Sequence, residues 1–118
     1  MSALTPVMAP RERQAGGCCE AVVLPDLEPA QADELAGLVK ALADPTRLRI
    51  VDALRKAAPE ALCQCDLLPL FDMSQAAVAK HLKVLTTAEV LASERHGTWT
   101  YYYLRPDTLE PLTAWLAA

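Results

Sequence analysis

No apolar run in this 118-residue chain approaches the length of a membrane span, and no charged-then-apolar secretory start is present. Those absences argue against a helical membrane protein and set the expectation of a soluble, cytoplasmic one. No C-x-x-C spacing occurs, so neither a zinc ribbon nor a thioredoxin-type site is on offer. Histidine is reduced to His81 and His96. Neither belongs to a base–orienter set around a nucleophile, so the chain is expected not to be an enzyme.

What is present suits one small globular domain. Hydrophobic residues make up 53% of the sequence, ample for a core and against general disorder. The formal charge of -4 argues against a nucleic-acid partner until it is divided by position. Between Ser74 and Arg105, Lys80, Lys83, Arg95 and Arg105 face only Glu89 and Glu94, a local charge of +2. The acidity lies elsewhere, so overall charge predicts a localised, salt-sensitive footprint rather than excluding DNA. The four cysteines form an adjacent pair, Cys18-Cys19, and an alternating pair, Cys63 and Cys65. In an intracellular chain such thiols point to metal or redox work before a disulfide framework.

Residues 1–24 have no helical period and carry a Gly16-Gly17 step before the first cysteine pair, which predicts a flexible N-terminal arm. Residues 25–118 form the expected domain. A first helix should run from Pro25-Asp26 to about Leu42, with Leu35, Leu38, Val39 and Leu42 on one stripe. Asp44 caps a second helix whose first position is Pro45, with Leu48, Val51 and Leu54 or Arg55 at helical spacing and Ile50 filling in. A short third helix is expected over Leu62–Phe71, anchored by Leu67, Leu70 and Phe71.

Ser74 caps the fourth helix, which reaches about Thr87. Val78, Leu82 and Leu85 make its inward stripe, and a rotation of 100° per residue turns Ala76, Lys80 and Lys83 outward. Two short helices joined by a brief turn describe a helix-turn-helix. Ser74 and Gln75 would enter the major groove, where Gln can bond adenine and lysines can reach guanine or phosphate. An ordinary surface helix with two solvated lysines accounts for the same residues. The strand-like segments Val90–Arg95 and Thr98–Leu104 meet through His96-Gly97 as a hairpin. Behind a helix-turn-helix this is a wing, with Arg95 and His96 at its tip toward the phosphates. A final helix from Pro106 puts Leu109, Leu112, Trp115 and Leu116 on one apolar face suited to a second copy of the chain. The expected fold is mostly α with a small β-hairpin, in the order α-α-α-α-β-β-α.

The segments Ala43-Asp44-Pro45-Thr46-Arg47-Leu48-Arg49-Ile50, Leu62-Cys63-Gln64-Cys65-Asp66-Leu67, Ser74-Gln75 with His81-Leu82-Lys83-Val84-Leu85, and Gly97-Thr98-Trp99 with Tyr101-Tyr102 resemble the arsenical-repressor (ArsR/SmtB) family in order and spacing. The resemblance covers roughly Leu35 to Leu116. It implies a dimeric winged helix-turn-helix repressor, with the first and last helices at the dimer interface, that leaves an inverted-repeat operator when a metal or metalloid binds.

The family's sensor sites differ among its members. A site of carboxylate and histidines on the last helix finds Asp107 and Glu110 here but no histidine. A site on the cysteines opening the third helix finds Cys63 and Cys65, and the arm Cys18-Cys19 resembles that of arsenic sensors whose arm thiols meet the partner subunit. As(III) takes three sulfurs, which Cys18, Cys19 and Cys63 would supply. Cd(II) or Pb(II) would add Cys65 as a fourth. If the third helix is regular, residues 63 and 65 point about 200° apart, which ranks Cys63 above Cys65 and leaves Cys65 open to a role as a small buried hydrophobe. A thiol redox sensor, in which Cys18 or Cys19 oxidises without metal, is the remaining alternative.

Overall fold

The computed structural model describes residues 23–118, together with Ala9 and Glu12. Of the expected arm, Cys18 and Cys19 lie outside the described residues.

Glu28 opens helix α1 (Pro29–Leu42), its N–H donating to the Gln31 side chain at 2.9 Å. The start lies several residues beyond Pro25-Asp26 because this reciprocal cap and Pro29 at the first turn fix the boundary. Asp44 then caps α2 (Pro45–Ala57), accepting the N–H groups of Thr46 at 2.9 Å and Arg47 at 3.1 Å. The buried stripe of α2 is Ile50 and Leu54, one helical turn apart. Leu48, expected on that stripe, points away and is 53% exposed. Two residues of helix place it about 200° from Ile50.

The expected third helix over Leu62–Phe71 is not one helix. Leu62–Cys63 is a short strand, β1; Gln64–Leu67 is a single α-turn, α3; Leu68–Leu70 continues as a 3-10 turn. Pro69 inside that turn has no N–H to donate, so a regular i to i−4 ladder cannot run through it. Leu67 remains the buried anchor, whereas Leu70 is exposed.

Helix α4 (Gln75–Thr87) is capped by Ser74, whose Oγ accepts the N–H of Ala77 at 3.1 Å. Val78, Leu82 and Leu85 are fully buried, as their spacing predicts. The helix stops where Glu89 takes a left-handed conformation (φ 63), and the Val90 N–H closes back on the Leu85 carbonyl at 3.0 Å. The wing follows: β2 (Leu91–His96) and β3 (Trp99–Leu104) pair antiparallel with His96 opposite Trp99. Gly97 sits in the turn with φ 65, a conformation glycine adopts without a Cβ penalty. Strand β1 adds to the free edge of β3, with Leu62 opposite Tyr102 and Cys63 opposite Tyr101. The sheet therefore has three strands in the order β1-β3-β2, and the element order gains a strand before α3. Helix α5 (Pro106–Ala117) closes the fold.

One core holds the domain together. Leu38, Ile50, Leu54, Leu67, Val78, Leu82, Leu85, Val90 and Leu91 pack as a single cluster drawn from α1, α2, α3, α4 and the start of the wing. Helix α5 contributes only partly buried residues, Leu109 and Leu112, and leaves Trp115 and Leu116 exposed. Val39, Leu48, Trp115 and Leu116 line one surface groove, so the apolar residues of α1 and α2 that miss the core gather beside α5. No helix among the described residues is long and apolar enough to cross a membrane.

Candidate functional site

The cysteine corner is built by the junction of β1 and α3. Cys63 is the N-cap of α3, in extended backbone (φ −84, ψ 167), and its N–H donates to the Asp66 carboxylate at 3.0 Å. This is half of a capping-box pattern, with the carboxylate three residues past the cap. Because Cys63 precedes the helix rather than belonging to it, the 200° separation expected from Cys65 does not arise. The two sulfurs meet: Cys63 and Cys65 are joined in a disulfide, their Cα atoms 5.3 Å apart. Burial also falls the other way from expectation. Cys63 is 4% exposed and belongs to the interior, while Cys65 is open to solvent. Ligand atoms of Cys63, Cys65 and Asp66 lie within 4.8 Å of one another, a grouping of soft sulfur and carboxylate that fits a borderline or soft ion once the sulfurs are reduced.

Two connections tie this corner to the surface expected to read DNA. Between the cysteines, Gln64 sends its Nε2 to the backbone carbonyl of Gln75, the first residue of α4, at 2.8 Å. Through β1, Cys63 is in register with Tyr101 on the wing. A groove of about 380 Å³ opens where these parts meet, lined by Cys63, Cys65, Leu68, Gln75, Trp99 and Tyr102 among others. Nothing in the sequence announces Gln64. The carboxylate at Asp66, by contrast, stands at the spacing that a capping box requires.

The outward face of α4 carries Ser74, Gln75, Ala76, Lys80 and Lys83, all exposed. Arg95 and His96 are exposed at the wing tip, as their hairpin position predicts. Each has a local partner. Arg95 Nε donates to the Gly97 carbonyl at 3.3 Å, and His96 Nε2 lies 3.3 Å from a Glu94 carboxylate oxygen with its ring edge toward Tyr101.

His81, which stands beside the inward stripe of α4, does more than fill space. Its Nδ1 is 3.3 Å from an Arg47 guanidinium nitrogen and 3.9 Å from the Asp44 carboxylate. Arg47 Nε also donates to the Ala41 carbonyl at the end of α1. The N–H of Arg47 at the start of α2, with His81 and Thr46 adding to it against partial desolvation, holds the Asp44 carboxyl below its ordinary range. The corner between α1 and α2 is thus tied to the middle of α4.

Residues 44–93 match the family model described as "Bacterial regulatory protein, arsR family". The chain is 38% identical over 73 residues to an arsenical resistance operon repressor of Bacillus subtilis, covering 62% of this chain and 68% of that protein. It is 39% identical over 74 residues to a transcriptional repressor SmtB homolog of Synechocystis, covering 63% of this chain and 54% of that one. Among solved structures it is similar to the homodimeric winged helix-turn-helix DNA-binding domain of a possible ArsR-family regulator from Mycobacterium bovis. That match has a TM-score of 0.61 and 25% identity, over 82% of this chain and 90% of that one.

Proposed function

The chain belongs to the arsR family of transcriptional repressors, and from that premise we propose that it binds an inverted-repeat operator as a homodimer and releases it when As(III) is taken by cysteine thiolates. Membership makes it a DNA-binding regulator and not an enzyme. The proposed ligands are Cys18 and Cys19 of the arm with Cys63, which together satisfy the three-sulfur preference of As(III). Cd(II) and Pb(II) are the alternative inducers, for which Cys65 is the added ligand.

One observation carries this reading: the residue between the two thiols hydrogen-bonds the first residue of the recognition helix, Gln64 to Gln75. Pulling Cys63 toward an arm-borne ion displaces Gln64 and with it the end of α4 that holds Ser74 and Gln75. Binding and release are then linked by one coupling free energy, and operator weakens ion binding by the factor that ion weakens operator binding. Values of about 1–3 kcal/mol are usual for such coupling. Lys80, Lys83, Arg95 and His96 supply phosphate or base contacts around that end. The exposed Val39, Leu48, Trp115 and Leu116 supply an apolar surface for the second copy, in keeping with the homodimeric M. bovis domain.

A second reading has its own support. The Cys63–Cys65 disulfide is a two-electron product, so a thiol redox response of the same corner, rather than of the arm thiols first considered, also links to α4.

Operator binding followed by fluorescence anisotropy, with arsenite, cadmium, lead and zinc titrated into reduced protein, separates these. The expected result is release by arsenite and its loss in Cys18→Ser. Release by cadmium or lead alone changes the inducer. Release by peroxide in the presence of a chelator, with no metal effective, favours the redox reading.

A further inference from the structure

We propose that the groove between α1, α5 and the end of α4 is a binding site for an organic cation with an apolar body, of the quaternary-ammonium or hydrophobic-amine class. It goes beyond the sensor reading and shares no residue with the groove at the cysteine corner. Its volume of about 590 Å³ falls inside the range of about 300–1,000 Å³ that small-molecule sites occupy. Leu27, Leu35, Leu38 and Pro111 give it apolar walls. Trp115 lines it too and is 48% exposed, which leaves ring surface free for a guest.

The lining carries charge of one sign. Glu34 comes from α1 and Glu89 from the turn after α4, and no lysine, arginine or histidine joins them. No ion pair among the described residues uses either carboxylate. A cation entering the groove therefore meets two uncompensated acids and an indole, the aromatic ring that attracts cations most strongly. A bare metal ion fits less well, because it needs several ligand atoms converging on one point. Among the described residues only Cys63, Cys65 and Asp66 gather in that way.

Two residues of the lining run against local propensity, in opposite directions. Gly37 stands inside α1, where glycine costs stability relative to alanine. A Cβ built there meets nothing within 4 Å, so no neighbour demands the glycine and its effect is to leave room. Glu89 stands at φ 63, where glycine is the usual residue, so a carboxylate is kept against backbone preference. Departures of this kind gather at functional sites, and both border one groove.

The apolar surface for the second copy is a different groove, built on Val39, Leu48 and Leu116 with no charged residue in its lining. Trp115 stands between the two. A two-fold contact through the acidic groove would set like charges against each other, which favours a cation over a second copy there.

The test titrates full-length protein by calorimetry with benzyltrimethylammonium, its uncharged carbon isostere neopentylbenzene, and phenylacetate as the anion. The cation should bind one per chain, about tenfold or more tighter than the isostere, and more weakly as salt is added. Phenylacetate should not bind. Trp99→Phe leaves Trp115 as the single tryptophan, and its fluorescence should change with the same affinity. Glu34→Gln/Glu89→Gln should weaken the cation roughly threefold to tenfold and leave the isostere unchanged. Gly37→Leu should fill the groove and abolish binding while raising the denaturation midpoint, since the helix loses a glycine and no neighbour is struck. Equal affinity for cation and isostere, an unchanged affinity in the double variant, or full binding by Gly37→Leu would each overturn the proposal. So would a Gly37→Leu protein that is monomeric where the wild type is dimeric, because the groove would then belong to the second copy.

Discussion

Helix α4 is held at two places, and the two differ in kind. Its middle is fixed through His81 to the α1–α2 corner, where Asp44 accepts two backbone N–H groups and Arg47 reaches both His81 and the Ala41 carbonyl. Its N-terminal end, apart from the buried Val78, takes one side-chain hydrogen bond from another element among the described residues, that of Gln64, which stands between two cysteines. The first corner uses half-buried groups with several partners each; losing one contact leaves others in place. The second hangs on an exposed bond next to atoms whose chemistry changes with oxidation or metal. A helix braced at its middle and held more lightly at its N-terminal end is suited to act as a lever, which is the geometry the proposed sensor at the cysteine corner uses.

The most severe way to break this contrast is to remove what both holds depend on. Leu82 is fully buried on the inward stripe, so Leu82→Ala should cost about 2–5 kcal/mol of stability, visible as a large fall in the denaturation midpoint and loss of operator binding. Next, Cys63→Ser should leave folding and ligand-free operator affinity close to wild type while removing arsenite-dependent release, a loss of about 1–3 kcal/mol of coupling read from paired anisotropy titrations. His81→Ala acts on the other hold. It should lower stability by roughly 0.5–1.5 kcal/mol, the usual net worth of a hydrogen bond, in chemical denaturation, with ligand-dependent release retained. If His81→Ala abolished release and Cys63→Ser did not, the roles of the two corners would be exchanged.

The smallest effect concerns acid. The Asp44 carboxyl is held below its ordinary value chiefly by the Arg47 N–H. Its contribution is fully present above about pH 4 and is lost as the pH falls through the lowered folded-state value. Asp44→Asn keeps an N-cap acceptor but cannot titrate. The variant should therefore show a shallower loss of stability on the acid side and little change at neutral pH, measured by denaturant midpoints across the range.

Of the fixed hold, the cap and the buried face were legible in the sequence but the His81–Arg47 contact was not, and the loose hold was not legible at all. Asp44-Pro45 gives its cap and first-turn proline locally, and the spacing of Val78, Leu82 and Leu85 gives the face that α4 buries. Local rules failed where tertiary pairing decides the backbone. Leu62 and Cys63 look helical by continuity with Leu67, yet they pair with Tyr102 and Tyr101 across a separation of about forty residues, which no periodicity reports. That pairing takes Cys63 out of the helix, brings its sulfur to Cys65, and reverses which thiol is buried. Leu48 failed for a related reason: an apolar residue at helical spacing serves equally well on a core face or on a surface left for a second copy. Gln64 has no distinguishing pattern at all, since its role depends on a carbonyl eleven residues away.

That single bond is the most direct place to test the lever. Operator affinity is measured with and without saturating arsenite in wild-type protein and in Gln64→Leu, alongside arsenite binding to each free protein. The variant should bind arsenite as the wild type does, yet release operator with coupling reduced by about 0.5–1.5 kcal/mol, a several-fold smaller change in affinity. Full coupling in Gln64→Leu, with arsenite binding unchanged, would contradict transmission from the cysteine corner to α4 through Gln75.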